Sequence, residues 1–206
     1  MKDYPSILSS IGQNHQEFDA YVFDKIDGSN LRFEWGGKKS GWYKYGTRSH
    51  LFNASDPTFG GAIQIFEDTL AEPLAKLAVD QRWERLIVFA EFWGDSSFAG
   101  RHVDDEPKRL TLIDVAPYKK GILGPRDFLK FCDGMSIPNF LGTRRWTRNF
   151  VAQVRAGEIE GITFEGVVGK GGEGHHLVMR KAKTQAWVEK VLALYGEIEG
   201  TKIINS

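Results

Sequence analysis

The sequence predicts a sheet-dominated fold with several helices. Three features point there: 23 glycines in 206 residues, many short β-rich runs, and a Gly-Gly hairpin signature between two of those runs. Tyr21-Val22-Phe23 is an apolar run that leads into Asp24-Lys25-Ile26-Asp27-Gly28. Leu31-Arg32-Phe33-Glu34-Trp35 then alternates apolar and polar residues, as a half-buried strand does. Gly36-Gly37-Lys38-Lys39 reads as a turn and Trp42 to Thr47 as the returning strand. From Gly61 to Val79, apolar residues recur at helical spacing (Ile63, Phe66, Leu70, Leu74, Leu77), and Pro73 is expected to kink or split that helix. Leu86 to Phe92 and Arg109 to Val115 are apolar enough for buried strands. Arg126 to Cys132 and Thr147 to Ala156 read as short helices, the second capped by Thr147. Ile162 to Val168 and His176 to Arg180 read as strands. Thr184 caps a closing helix that runs to Tyr195 and sets Trp187, Val188, Val191, Leu192 and Tyr195 near one side. No repeat or linker divides the chain, so residues 1–206 are expected to form one domain.

The apolar content, 41% with 6 Trp, 6 Tyr and 14 Phe, suffices for a core without disulfide or metal staples. Lys plus Arg (27) balances Asp plus Glu (27), so any basic footprint for nucleic acid must be local. One cysteine, Cys132, excludes an internal disulfide framework and suits a reducing compartment. Met1-Lys2-Asp3-Tyr4-Pro5 does not start a signal peptide, and no apolar stretch is long enough for a bilayer. The expectation is a soluble, cytoplasmic protein with no membrane partner.

Four clusters carry chemistry. Lys25, between an apolar strand and the Gly28-Ser29-Asn30 turn, can present an amine where glycine lets a ligand approach. A nucleophilic lysine needs desolvation or nearby positive charge to lose its proton, and a surface lysine beside an Asp-Gly turn is the commoner reading of the tetrapeptide alone. Glu91, flanked by apolar strand residues, must be paired or face a cleft, where it can accept hydrogen bonds from ribose hydroxyls or simply form a salt bridge. Glu165 at the head of Glu165-Gly166-Val167-Val168-Gly169-Lys170 can hold a divalent cation. Lys170 follows at an odd offset, which in a regular strand sends the two to opposite faces unless Gly169 breaks the register; an ordinary strand running into a flexible loop fits equally. In Arg180-Lys181-Ala182-Lys183, alternation puts Lys181 and Lys183 on one face, able to converge on a phosphate or merely to form a solvated basic turn. His175-His176 with Glu173 does not read as a metal site, because adjacent strand residues face opposite ways. The glycines from Gly169 to Gly174 lack P-loop spacing.

Taken in order, Lys-x-Asp-Gly, an apolar-Glu strand, Glu-Gly-Val-Val-x-Lys and Lys-x-Lys resemble the motif set of covalent nucleotidyltransferases, which include DNA ligases, RNA ligases and mRNA capping enzymes. The resemblance runs from about Phe23 to Lys183, and Lys25-Ile26-Asp27-Gly28-Ser29-Asn30 followed by Arg48 looks most like the RNA ligase branch. It implies an α+β, ATP-grasp-like nucleotidyltransferase domain: two antiparallel-rich sheets flanked by helices, with a nucleotide cleft between them. It implies Lys25 as the residue adenylylated by ATP and Glu165, Lys181 and Lys183 as catalytic, with Glu165 also holding Mg2+ or Mn2+. The same surrounding cations are expected to favour neutral Lys25. By the same resemblance Asp24, Ile26, Asp27, Gly28, Asn30, Arg48, Glu91, Ile113 and Lys170 bind the nucleotide. Ile113 stands in the strand that packs on the purine face, where the family often has an aromatic residue.

The reaction so implied joins a 5′-phosphate RNA end to a 3′-hydroxyl through a lysyl-AMP intermediate. RNA ends are favoured over DNA ends as partners. Only 23 residues follow Lys183, so no separate OB-fold or helical domain is expected there, and an accessory protein in its place is a further candidate partner. Arg144, Arg145, Arg148 and Arg155 can add grip on phosphates or form a solvated helix face. The alternatives are a DNA ligase, a capping-type transfer to another acceptor, and a non-catalytic nucleic-acid-binding module.

Overall fold

The computed structural model describes residues 4–10, 16–97 and 104–205. Met1 to Asp3, part of the segment read above for a leader, lie outside them. The strands are β1 (Leu8–Ser9), β2 (Phe18–Lys25), β3 (Ser29–Trp35), β4 (Trp42–Gly46), β5 (Leu51–Phe52), β6 (Leu86–Trp93), β7 (Arg109–Pro117), β8 (Phe140–Trp146), β9 (Gly166–Gly171) and β10 (Val178–Lys183). The helices are α1 (Gly60–Phe66), α2 (Glu72–Asp80), α3 (Pro125–Phe131), α4 (Arg148–Ala156) and α5 (Gln185–Asn205). One sheet has the order β1-β10-β9-β2-β8, the other β5-β4-β3-β6-β7. All pairs are antiparallel except β1 with β10. The chain is α+β, with two antiparallel-rich sheets flanked by helices. No described helix is long and apolar enough to cross a membrane.

Alternation along β2 sets up both layers. Ala20 and Val22 point to one side, where Trp146, Phe150, Val151 and Val154 cover them with α4. Phe23 points the other way, into the main core built on the second sheet with α1, α2 and α3. There Phe33 and Phe66 stack with centroids 4.0 Å apart, an arrangement that adds to the area the two rings bury.

Several elements depart from their predicted limits for local reasons. The helix from Gly60 to Asp80 stays continuous across Pro73 because a π-helical turn, Glu67–Ala71, takes up the register that the missing proline N–H would break. Ile162 to Glu165 is not strand. The Asp24 carboxylate accepts from the Thr163 N–H (2.9 Å) and hydroxyl, which holds this segment off the ladder. Pairing starts only at Gly166, whose φ of 149° no side chain tolerates well, since a Cβ there would lie 2.0 Å from the Ala182 carbonyl oxygen. Gly169 sits inside a regular ladder. Gly174–His176 is a 3₁₀ turn and β10 begins after it, at Val178. Thr147 caps α4 by accepting from the Phe150 N–H, and Thr184 caps α5 by accepting from the Trp187 N–H. On α5, Trp187 and Val191 are buried, but Tyr195 is 41% exposed. Gly196 turns the chain (φ 73°), and the segment beyond it returns Ile203 and Ile204 to Trp187.

Trp146 is fully buried, packs on Phe18 and Phe150, and donates its indole N–H to Ser10 (2.9 Å). Trp146→Ala is expected to destabilise the chain by about 3–5 kcal/mol, read as a lowered midpoint in urea unfolding with an unchanged slope.

Candidate nucleotide-binding site

Between the sheets lies a cavity of about 270 Å³. All the residues assigned above by resemblance line it. Strand register explains how the cations arrive. Lys25 on β2 and Lys183 on β10 both pair with Gly166 on β9, so the three form one row across the sheet. Lys181 and Phe23 share the next row with Val168, and Lys170 lies in the one after. Residues two apart share a face, so Lys181 and Lys183 both look into the cavity. With no side chain at Gly166, the space between the two outer lysines is open.

Glu165 fills that space. Its carboxylate accepts from Lys25 Nζ at 2.7 Å through one oxygen and faces Lys183 Nζ at 3.2 Å through the other. The backbone around it is fixed: the Thr184 N–H donates to the Glu165 carbonyl (2.8 Å), and the Thr184 hydroxyl to the Phe164 carbonyl (2.7 Å). On the opposite wall, Asn30 and Glu91 are ladder partners on β3 and β6. Gly28 makes the crossing between sheets possible, because a Cβ there would lie 2.4 Å from the Phe92 carbonyl oxygen. Arg48 stands exposed at the rim.

Burial and charge shift the groups that line the cavity. Burial pushes the Glu91 carboxyl up to about 7; Glu165 and Asp27 add to this and Lys25 opposes it. Burial, then Lys183 and Lys25, pull the Lys181 ammonium down to about 8. Burial also lowers Lys183, against the pull of Glu165. Lys25 goes the other way. Burial lowers it, but Glu165, Glu91 and Asp27 together outweigh burial, and the amine is held above its ordinary value. Without a bound cation or nucleotide, the nearest partner of Lys25 is thus a carboxylate, at 2.7 Å.

Two assigned residues have their charges engaged elsewhere. The Asp24 carboxylate is taken up by Thr163. Lys170 Nζ bonds Asp114 at 2.8 Å and the Ile113 carbonyl at 2.8 Å. Ile113 is a bulge: the register passes from Phe89–Asp114 to Ala90–Leu112 and skips it, which frees its carbonyl for Lys170.

Tyr4 and Trp187 also line the cavity, and sequence reasoning did not assign either to it. Tyr4 donates its hydroxyl to Asp114. Trp187 donates to Asp27 (2.9 Å) and lies under the Lys183 ammonium, 4.1 Å from centroid to Nζ. The helical spacing of Trp187 signalled burial only. Tyr4 gave no signal, since its partner is 110 residues away. Of the arginine cluster, Arg145 faces Asp19 (3.4 Å) and Arg155 donates to Gln185 (3.1 Å), both at the exposed surface.

No group of three or more His, Cys, Asp and Glu side chains that could hold a metal ion occurs among the described residues. The described residues therefore build no closed cage. The donor set fits a hard cation that keeps several waters and takes one or two carboxylates beside substrate phosphates, with Glu165 as the carboxylate.

No family model and no curated protein sequence matches the chain. Among solved structures it is similar to an archaeal ATP-dependent RNA ligase in two forms. The match to form 1 has a TM-score of 0.65 and 18% identity, covering 98% of this chain and 55% of that one. For form 2 the values are 0.63, 16%, 93% and 51%. A Naegleria gruberi RNA ligase variant solved with ATP and Mn matches with a TM-score of 0.59 and 16% identity, over 85% of this chain and 52% of that one. The chain thus spans about half the length of these proteins. At this identity the likeness is one of fold, and the fold of this chain, with its cavity between two antiparallel-rich sheets, is the one found in ATP-dependent RNA ligases.

Proposed function

We propose that the chain is an ATP-dependent nucleotidyltransferase of the RNA ligase type, in which Lys25 takes AMP from ATP. The observation that carries this reading is the Lys25–Glu165–Lys183 cluster, 2.7 and 3.2 Å, set in a cavity of this fold with Lys181 beside it. Desolvating such charges offsets much of their attraction, so stability is a weak explanation of the cluster and a ligand a better one. Here the ligand is a polyphosphate.

In the resting site Lys25 is an ammonium held by Glu165. A divalent ion bound at Glu165, magnesium or manganese, would weaken that hold and neutralise triphosphate charge. Lys181 and Lys183 bring two cations to the phosphates and stabilise the charge that develops on the leaving group. The deprotonated Lys25 amine attacks the α-phosphorus: a P–N bond forms, the P–O bond to the β-phosphate breaks, and pyrophosphate leaves. Two protons of the original ammonium pass to solvent, one before the attack and one after it, and the third stays on the P–N nitrogen. Glu91, across the cavity, accepts from the ribose hydroxyls, and Ile113 packs against the base. AMP then moves from Lys25 to a 5′-phosphate end, and a 3′-hydroxyl displaces it to close the strand, with RNA preferred. This second half of the reaction is proposed for the chain as it stands or with a partner protein that helps hold the RNA.

Incubation with ATP and magnesium, then with manganese, followed by peptide mass spectrometry, is expected to find one AMP on the peptide containing Lys25 and none in Lys25→Ala. A folded wild-type chain that takes up no AMP, or takes it up on another residue, overturns the reading. Lys183→Ala is expected to slow AMP uptake by about 100- to 1,000-fold, the usual effect of losing one preorganised charge stabiliser, measured in single-turnover labelling.

Glu91 provides a pH test. The fold raises its carboxyl from 4.5 to about 7, so it favours the protonated form. The stability this contributes is full below about 4.5 and is lost as pH rises through about 7. Glu91→Gln is expected to gain thermal stability relative to wild type as pH is raised across that window. The same variant loses the anionic acceptor for ribose, so its KM for ATP in the uptake reaction rises above pH 7.

A further inference from the structure

A second groove, of about 710 Å³, shares Pro5 with the nucleotide cavity but contains none of the residues assigned above to nucleotide chemistry. Its floor is apolar, formed by residues such as Leu86, Ile122 and Met179. Its rim is not. Arg85, Tyr118, Lys119 and Lys120 stand along it, with Tyr118 51% exposed. The Arg85 guanidinium lies 5.6 Å and the Lys119 ammonium 5.3 Å from the Tyr118 ring centroid. These side chains come from a pinned turn: the Tyr118 N–H donates to the Arg85 carbonyl and the Lys120 N–H to the Pro117 carbonyl, each at 3.0 Å. Lys119 is held there in the left-handed region, with φ of 64°, a conformation a bulky residue adopts only when its surroundings impose it.

Among the described residues, the one acidic residue lining the groove is Glu34. Arg32 faces its carboxylate at 3.2 Å and Lys44 at 3.5 Å, and Tyr43 donates to it at 3.3 Å. Its charge is therefore answered within β3 and β4, and Arg85, Lys119 and Lys120 leave the rim cationic. An exposed aromatic face flanked by cations over an apolar floor is the combination that holds a single nucleic-acid strand, with bases on the ring and phosphates on the cations. A protein partner with an apolar face would suit the floor, but it would have to desolvate three rim cations.

We propose that this groove is a docking site for single-stranded nucleic acid, separate from the nucleotide cavity: a base stacks on Tyr118 while Arg85, Lys119 and Lys120 meet the backbone. As an RNA site it rests on the function proposed above, and it serves a part of the strand away from the joined end. The shared wall at Pro5 puts the two sites on either side of the N-terminal segment that also carries Tyr4.

The test is fluorescence anisotropy with a labelled single-stranded RNA twelve-mer and a DNA of the same sequence, run beside AMP uptake at Lys25. Tyr118→Ala is expected to weaken binding about tenfold and Tyr118→Phe to preserve it. Lys119→Gln with Lys120→Gln is expected to make the log–log salt dependence shallower by about 1.4, as loss of two phosphate contacts on a single strand requires. AMP uptake stays at wild-type level in all three. Affinity unchanged in Tyr118→Ala together with a salt slope unchanged in the double lysine variant overturns the proposal, as does a wild-type chain that binds neither strand. A chain that takes up AMP but binds nucleic acid without regard to Tyr118 loses the groove and keeps the proposed function. A chain that never takes up AMP but loses strand binding in Tyr118→Ala keeps the groove and loses that function.

Discussion

Glu165 sits between two ammonium groups, 2.7 Å from Lys25 and 3.2 Å from Lys183, and most of the surrounding architecture holds it there. Gly166 leaves the space between the lysines open and turns the chain so that Glu165 precedes the ladder instead of joining it. Asp24 holds Thr163 on one side, while Thr184 on the other binds the Glu165 and Phe164 carbonyls and caps the closing helix. One carboxylate is thus fixed through three chain segments. A cluster of this kind is a poor source of stability, because removing charges from water offsets much of their attraction.

A second buried ion pair joins the sheets. Lys170 on β9 reaches across to Asp114 and to the carbonyl of the Ile113 bulge on β7, and Tyr4 closes on the same carboxylate. Lys170 also lies over Phe23 and Phe128, at 5.3 and 5.2 Å from their centroids. Asp114 is fully buried, so removing either charged partner alone leaves the other unpaired at high cost. This pair fixes the separation of the walls at the end of the cavity where Ile113 lies. Lys25, Lys183 and Glu165 stand at the other end.

The two grooves divide the surface chemistry. In the inner cavity cations and carboxylates are interleaved, the arrangement on which the proposed polyphosphate chemistry rests. Around the outer groove the acid is already matched and the cations flank an exposed ring, which suits a backbone and its bases. Bulk composition hides both, because the chain as a whole has no net charge.

Much of the fold and the site was legible because its signals are local. Alternation along Leu31 to Trp35, the apolar run at Leu86 to Phe92, and the caps at Thr147 and Thr184 each depend on neighbours a few residues away. The residues that the resemblance to covalent nucleotidyltransferases picked out all line one cavity. Sequence could not reveal that Ile162 to Glu165 leaves the ladder, because the Asp24 side chain that holds it lies 139 residues from Thr163. Nor could it show that Lys170 answers Asp114, since that depends on a bulge at Ile113 visible only in the strand register. The sequence by itself determined which residues can carry charge and, Glu165 apart, which strands present them. The tertiary structure decided which charges meet, and so held the Lys25 amine above its ordinary value, because electrostatic shifts follow distance and burial, not order along the chain.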